Sequence, residues 1–156
     1  MACETDFASK SSSFTELASH LAKTGLEEKV QISENSLFLQ TVAKLGENIN
    51  IKYWENIPVE SFVGSYVHNR SAPFAGPKVS IVSTSLNDDE FNRRLAQHVL
   101  VNKPTLISGN DETCLMNQPF LFDPSITVGS LLQKQNALFK KFIVFEMEMD
   151  SPLIVE

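Results

Sequence analysis

Apolar residues recur at helical spacing from Phe14 onward: Phe14, Leu17, Ala18, Leu21 and Ala22 share one face. Ser13-Phe14-Thr15-Glu16 at the head of that face has the form of a capping box, and Gly25 closes it. A second helical pattern carries Leu37, Phe38, Thr41, Val42 and Leu45 and stops at Gly46. A polar connection around Glu27-Glu28-Lys29 joins the two. After Gly46 the period changes to two. Ile49, Ile51 and Tyr53 alternate with Asn50, Lys52 and Trp54, which predicts a strand with one buried face.

Phe62 to His68 is a second predicted strand, with Val63 and Val67 on one face and Phe62, Tyr66 and His68 on the other. Gly64 inside it permits close backbone approach. The loop NRSAPFAGPK follows, broken by prolines and a glycine, and Lys78 to Thr84 is a third strand. Neighbouring strands on loops this short predict an antiparallel meander. The run N-D-D-E from Asn87 to Glu90 starts another helix, with Phe91, Leu95 and Val99 on its face and Pro104 ending it. Ser108 to Asn117 reads as a polar loop. QPFLFDPSI is apolar but flanked by prolines, hence extended and irregular. Thr127 caps a short helix over Val128 to Asn136, and Phe142 to Met149 alternates as a last strand. Helices and strands are partly segregated, so the class is α+β.

Composition changes the picture in two places. The chain has 11 Phe against 1 Trp and 2 Tyr in 156 residues, more rings than a small core needs, which leaves some for a contact surface. The formal net charge of -6 argues against a nucleic-acid partner, which is met with a basic face. No apolar run is long enough to span a bilayer, and no signal peptide or Arg-rich transit segment is legible at the start. The two cysteines, Cys3 and Cys114, fit neither a disulfide framework nor a zinc site.

Little in the sequence points to covalent chemistry. His20, His68 and His98 lack metal-ligand spacing, and the glycines form no phosphate loop. Cys3 has no activating motif around it and reads as a free thiol. His98 lies beside the apolar face of its helix and reads as a packed, hydrogen-bonded residue. No catalytic residue, cofactor or metal is expected. The residues by themselves describe an α+β binding domain.

Six stretches resemble, in order, blocks of the translation elongation factor Ts family. ACETDFASK resembles its hallmark, in which T-D-F-V precedes a helix. VAKLGENINIKYW resembles a helix-to-strand junction, VGSYVHN the next strand and RRLAQHVLVNKP the next helix. NQPFLFDPSITVGSLLQ and FIVFEME resemble the last helix and strand. Together they span roughly Ala2 to Glu148. The wording of DPSIT and RRLAQHV, and the short link from Val101 to Gln118, are most similar to the mitochondrial branch, which implies a mitochondrial location.

The resemblance implies two small α+β lobes, each an antiparallel sheet packed with helices, over 1–46 and 47–156. It implies a guanine-nucleotide exchange factor acting on elongation factor Tu, without a cofactor and without covalent chemistry. Asp6 and Phe7 match the pair that enters the partner's GTPase domain beside its magnesium site. Leu45, Gly46 and His68 match further contacts to that domain, and Leu121 and Phe122 match apolar residues that grip another one. The residues alone also allow Phe7 as a core ring, Asp6 as a helix cap, Leu45 and Gly46 as the last core residue and C-cap of their helix, and His68 as a solvated strand end. For Leu121 and Phe122, in a proline-flanked loop, an interface is the better reading. Family members carry a small helical domain, a linker and a strand ahead of the Cys. Their expected absence here, with Ala8 in place of Val, predicts a thinly supported first lobe. A form that binds or stabilises elongation factor Tu without efficient exchange is the alternative.

Overall fold

The computed structural model describes residues 1–24, 36–54, 61–72 and 75–156. Gly25 as a helix stop, the Glu27–Lys29 connection and part of the proline-containing loop lie outside the described residues. The chain divides into two compact units, Met1–Ile57 with Asn69–Gly76 and Pro58–His68 with Pro77–Glu156. Helices and antiparallel sheet combine in an α+β fold.

Among the described residues, the first unit holds three helices, α1 (Asp6–Lys10), α2 (Ser12–Thr24) and α3 (Ser36–Leu45). The predicted apolar face of α2 is buried at Phe14, Leu17 and Leu21. Its start lies two residues earlier than the capping box implies. Ser11 Oγ accepts the Phe14 N–H at 3.2 Å and donates to the Ala8 carbonyl at 2.7 Å, so one serine ends α1 and caps α2. Leu37, Phe38, Val42 and Leu45 of α3 pack on the same core. Gly46 ends α3 at φ 67°, a left-handed value that favours glycine, with its N–H on the Val42 carbonyl at 2.9 Å.

Among the described residues, Ile49–Tyr53 forms no sheet strand. It makes one antiparallel bridge, Ala2 with Asn50, through N–H···O bonds of 2.7 and 2.8 Å. The alternation is nonetheless physical: Ile49 is buried and Ile51 packs with it on the α2–α3 core, while Asn50 and Lys52 are exposed. Among the described residues, period-two burial comes from packing on helices, with the Ala2–Asn50 bridge in place of a ladder.

The second unit holds a four-stranded antiparallel sheet in the order β1 (Phe62–His68), β2 (Lys78–Thr84), β5 (Phe139–Glu146), β6 (Leu153–Val155). The expected meander therefore takes its third strand from late in the chain. That strand starts three residues before Phe142, and the C-terminal LIV pairs back on Phe142–Val144. Helix α4 (Asp89–Asn102) lies on the face that carries Gly64, Ser80 and Val82. A Cβ on Gly64 would stand 2.3 Å from the Asn92 carbonyl carbon, so glycine there sets how closely α4 approaches. The polar groups beneath the helix are paired: Ser80 Oγ donates to the Ala96 carbonyl at 2.6 Å, and Thr84 Oγ1 donates to Asn92 Oδ1 at 2.7 Å. Asp88, rather than Asn87, caps α4 by accepting the Phe91 N–H at 2.9 Å.

A 3-10 turn (Leu115–Asn117) leads into a two-stranded hairpin, β3 (Pro119–Phe120) and β4 (Asp123–Thr127), then into α5 (Val128–Lys134), capped by Thr127. The segment read as irregular is thus a hairpin, with Leu121 and Phe122 at its turn. Among the described residues, no helix is long and apolar enough to cross a membrane.

Candidate partner-binding surface

Asp6 and Phe7 open α1. Thr5 is the cap, its Oγ1 accepting the Ala8 N–H at 3.2 Å, so Asp6 is left as an exposed carboxylate in the first turn. Ala8 points inward at 5% exposure and Phe7 outward at 90%. Phe7 is therefore no core residue of this unit. Helical geometry puts adjacent side chains about 100° apart, so burying Ala8 turns its neighbour to solvent.

The chain ahead of α1 is held by the residues after α3. Glu47 accepts the Thr5 N–H on Oε2 at 3.0 Å and the Thr5 hydroxyl on Oε1 at 2.5 Å. Asn48 donates to Glu4 at 2.8 Å, and the Ala2–Asn50 bridge follows. TDF and KLGEN, far apart in sequence, are laced together at this corner, which brings Asp6 and Phe7 beside the turn formed by Leu45 and Gly46. Leu45 is half-buried against the core and Gly46 is exposed, with open space where a Cβ would be. Both are the last core residue and C-cap of α3, and both lie at the corner that presents Phe7. Nearby Cys3 donates its thiol to the Thr5 carbonyl at 3.5 Å, and burial and then Glu47 push its pKa up, the wrong direction for a nucleophilic thiolate.

In the second unit, His68 is exposed at the end of β1, with Tyr66 Oη 3.3 Å from its Nδ1. Leu121 is half-buried and Phe122 is 43% exposed at the hairpin turn. The Phe122 ring is backed by a run of planar groups. Phe120 lies 5.5 Å from it, His98 lies 5.8 Å from Phe120, and the Arg94 guanidinium sits 5.4 Å from the Phe122 centroid. Arg94 and Arg93 both hold Glu90, whose carboxyl they lower to about 2.

His98 is fully buried and hydrogen-bonded, as its position on the helix implied. Its Nδ1 accepts the Leu121 N–H at 3.2 Å, and its Nε2 lies 3.0 Å from Gln118 Oε1. A backbone N–H only donates and an amide oxygen only accepts, so the ring is neutral with its proton on Nε2. Burial keeps its pKa below the ordinary value, with the Gln118 bond acting in opposition.

Sequence reasoning missed Thr5 and Glu47 as the clamp, and His98, Gln118 and Arg94 as supports of the hairpin. The sequence signal for Glu47 was its place directly after Gly46. The Leu121–His98 bond joins positions 23 apart and left no sequence signal.

The family model for elongation factor TS matches residues 4–111, which takes in the Thr5–Phe7 corner and Gly46–Glu47. Mitochondrial elongation factor Ts of Xenopus laevis is 31% identical over 92% of this chain and 62% of its own length. Elongation factor Ts of Erwinia tasmaniensis is 28% identical over 93% of the chain and 65% of its own length. Mitochondrial elongation factor Ts of Mus musculus is 30% identical over 95% and 60%. The chain thus spans somewhat under two thirds of the length of these relatives. A match running through the clamped corner, and relatives aligned over nearly the whole chain, place this protein in the elongation factor Ts family.

Proposed function

We propose that the protein binds elongation factor Tu and speeds release of its GDP, with Phe7 and Asp6 inserted beside the partner's magnesium and phosphate site. A single observation carries the reading: Phe7 is 90% exposed on a helix whose start is clamped by Glu47. An aromatic ring held in water on a fixed backbone gains free energy only when something covers it. GDP is held largely by phosphate-loop amides and Mg²⁺, so a small displacement there costs much of its affinity. A wedge that fits the nucleotide-free form better shifts the population toward it. By linkage, bound GDP and bound factor weaken each other.

Burying Phe7 supplies roughly 1.5–3 kcal/mol, one to two decades in binding, so further contacts must share the work. Leu45, Gly46 and His68 are proposed for the same GTPase domain. Leu121 and Phe122 are proposed for a different domain of elongation factor Tu. The action needs no cofactor and breaks no covalent bond. A mitochondrial setting belongs to the proposal, supported by relatives named mitochondrial alongside bacterial ones.

The test is release of a fluorescent GDP analogue from elongation factor Tu. The protein is expected to accelerate it, and Phe7→Ala to slow the accelerated rate about 10- to 100-fold with an unchanged melting temperature. No acceleration at micromolar protein refutes exchange. A stable complex on gel filtration without acceleration would favour the stabilising partner instead.

A further inference from the structure

We propose that His98 is a positioning residue that holds the Leu121–Phe122 turn through its neutral ring, so that mild acid loosens this grip while leaving the Phe7 corner untouched. The inference rests on the reading of Leu121 and Phe122 as a partner contact. It deepens that reading by making one of the two holds pH-dependent.

The geometry carries it. The Leu121 N–H has His98 Nδ1 as its acceptor at 3.2 Å. Asn102 Nδ2 lies 2.9 Å from the same nitrogen. Gln118 is itself oriented, its Nε2 donating to the Thr113 carbonyl at 3.1 Å, so its oxygen faces the His98 Nε2–H. A second proton on the ring must go to Nδ1. The Asn102 amide can then turn its oxygen to receive that proton. The Leu121 N–H cannot reverse roles, and two donors would face each other. Protonation thus trades the hairpin for Asn102 and leaves a part-buried backbone donor without its acceptor.

The groups around the ring do little to stabilise its charge. Gln118, Asn102 and Phe120, which reach it, are uncharged. The ionisable groups on the packed elements are Asp89, Glu90, Arg93 and Arg94 on α4, Lys103 at its C-cap, Asp111, Glu112 and Cys114 before the 3-10 turn and Asp123 in the hairpin, and of these only Cys114 is buried. Arg94 is paired with Glu90 at 2.8 Å and Lys103 with Glu146 at 2.7 Å, so neither carboxylate is free to hold a charged ring. Asp123 is exposed and already accepts from Ser125 through both the backbone N–H and the hydroxyl.

The experiment uses the full chain in two measurements between pH 8 and 5. Amide and ring resonances should show the Leu121 N–H moving with protonation of His98 while the Phe7 N–H does not follow it. Affinity for nucleotide-free elongation factor Tu should fall about five- to tenfold across the same transition. His98→Asn places an oxygen near the Nδ1 position and cannot titrate, so its affinity should lack that step. Asn102→Ala removes the proton's new acceptor and should move the transition to lower pH, which tests the idea even where His98→Asn folds poorly. A Leu121 amide indifferent to His98 protonation overturns the proposal, as does an equal affinity step in folded His98→Asn. An intact amide titration with no complex at any pH upholds the latch and overturns the partner reading.

Discussion

Removing the Glu47 carboxylate tests whether Phe7 works as a loose ring or as a held one. Glu47 receives both the N–H and the hydroxyl of Thr5, at 3.0 and 2.5 Å, and the same hydroxyl oxygen accepts the Ala8 N–H to cap α1. A hydrogen bond to a charged group is worth about 1.5–3 kcal/mol when shielded. Thr5 is exposed, so solvent competes and the pair together contributes ~1–2 kcal/mol. The buried core of Phe14, Leu17, Leu21 and Ile49 does not depend on the clamp, so Glu47→Ala should leave global stability within about 1 kcal/mol. Its effect falls on the fraction of molecules with α1 in place. If that fraction drops by the clamp's whole contribution, apparent affinity drops about 5- to 30-fold.

Stopped-flow release of labelled GDP gives the exchange parameter, and hydrogen exchange at the Ala8 amide gives the opening of α1 in the free protein. Both should change together. Glu47→Gln, which keeps an acceptor but loses the charge, should fall between. A double-mutant cycle with Thr5→Ala should show coupling, since the hydroxyl and the carboxylate act through each other. Faster Ala8 exchange with undiminished GDP release would refute the reasoning, because the ring would then act without being held.

Gly64→Ala drives a Cβ to 2.3 Å from the Asn92 backbone and should destabilise the second unit by about 3 kcal/mol, read as a lower urea midpoint. Glu146, ion-paired with Lys103 at 2.7 Å and hydrogen-bonded by Lys78 at 3.2 Å, has a carboxyl pKa held below its ordinary 4.5, Lys103 contributing most. Its contribution is complete above pH 4.5 and disappears as pH falls through the lowered value. Glu146→Gln should therefore reduce the melting temperature at pH 7 and flatten its decline below pH 4.5.

Legibility in the sequence followed the range of the interaction. The strands Phe62–His68 and Lys78–Thr84 were read with their observed bounds, because a two-residue period inside turn signals is local information. The same rule misread Ile49–Tyr53. A helix pair under a segment buries every second residue as a neighbouring sheet face does, and the ladder partner is invisible in one chain segment. Helix starts slipped by one or two residues at Ser13 and Asn87, where several adjacent residues can cap and tertiary packing chooses among them. The hairpin under Leu121 and Phe122 was hidden by prolines at both ends. Pro119 and Pro124 sit on a two-stranded sheet, where a missing N–H need not break a central ladder. For the site, the exposed ring was legible and its supports were not, since Thr5–Glu47 and His98–Leu121 span 42 and 23 positions.

Those supports share a physical logic. Phe7 stands next to buried Ala8, two residues from a cap tied to a carboxylate. Phe122 stands next to Leu121, whose N–H is tied to a buried imidazole, and its ring rests on buried Phe120. A flexible ring would lose side-chain and backbone freedom on binding, at roughly 1–2 kcal/mol per ordered residue, which would consume most of what its burial returns. Fixing the backbone in the free protein leaves that return for the complex. It follows that Phe7→Ala should alter binding without altering stability and Phe122→Ala should alter binding with a modest loss of hairpin packing, while substitutions of Glu47 and His98 should alter the order of the neighbouring segment first and binding through it.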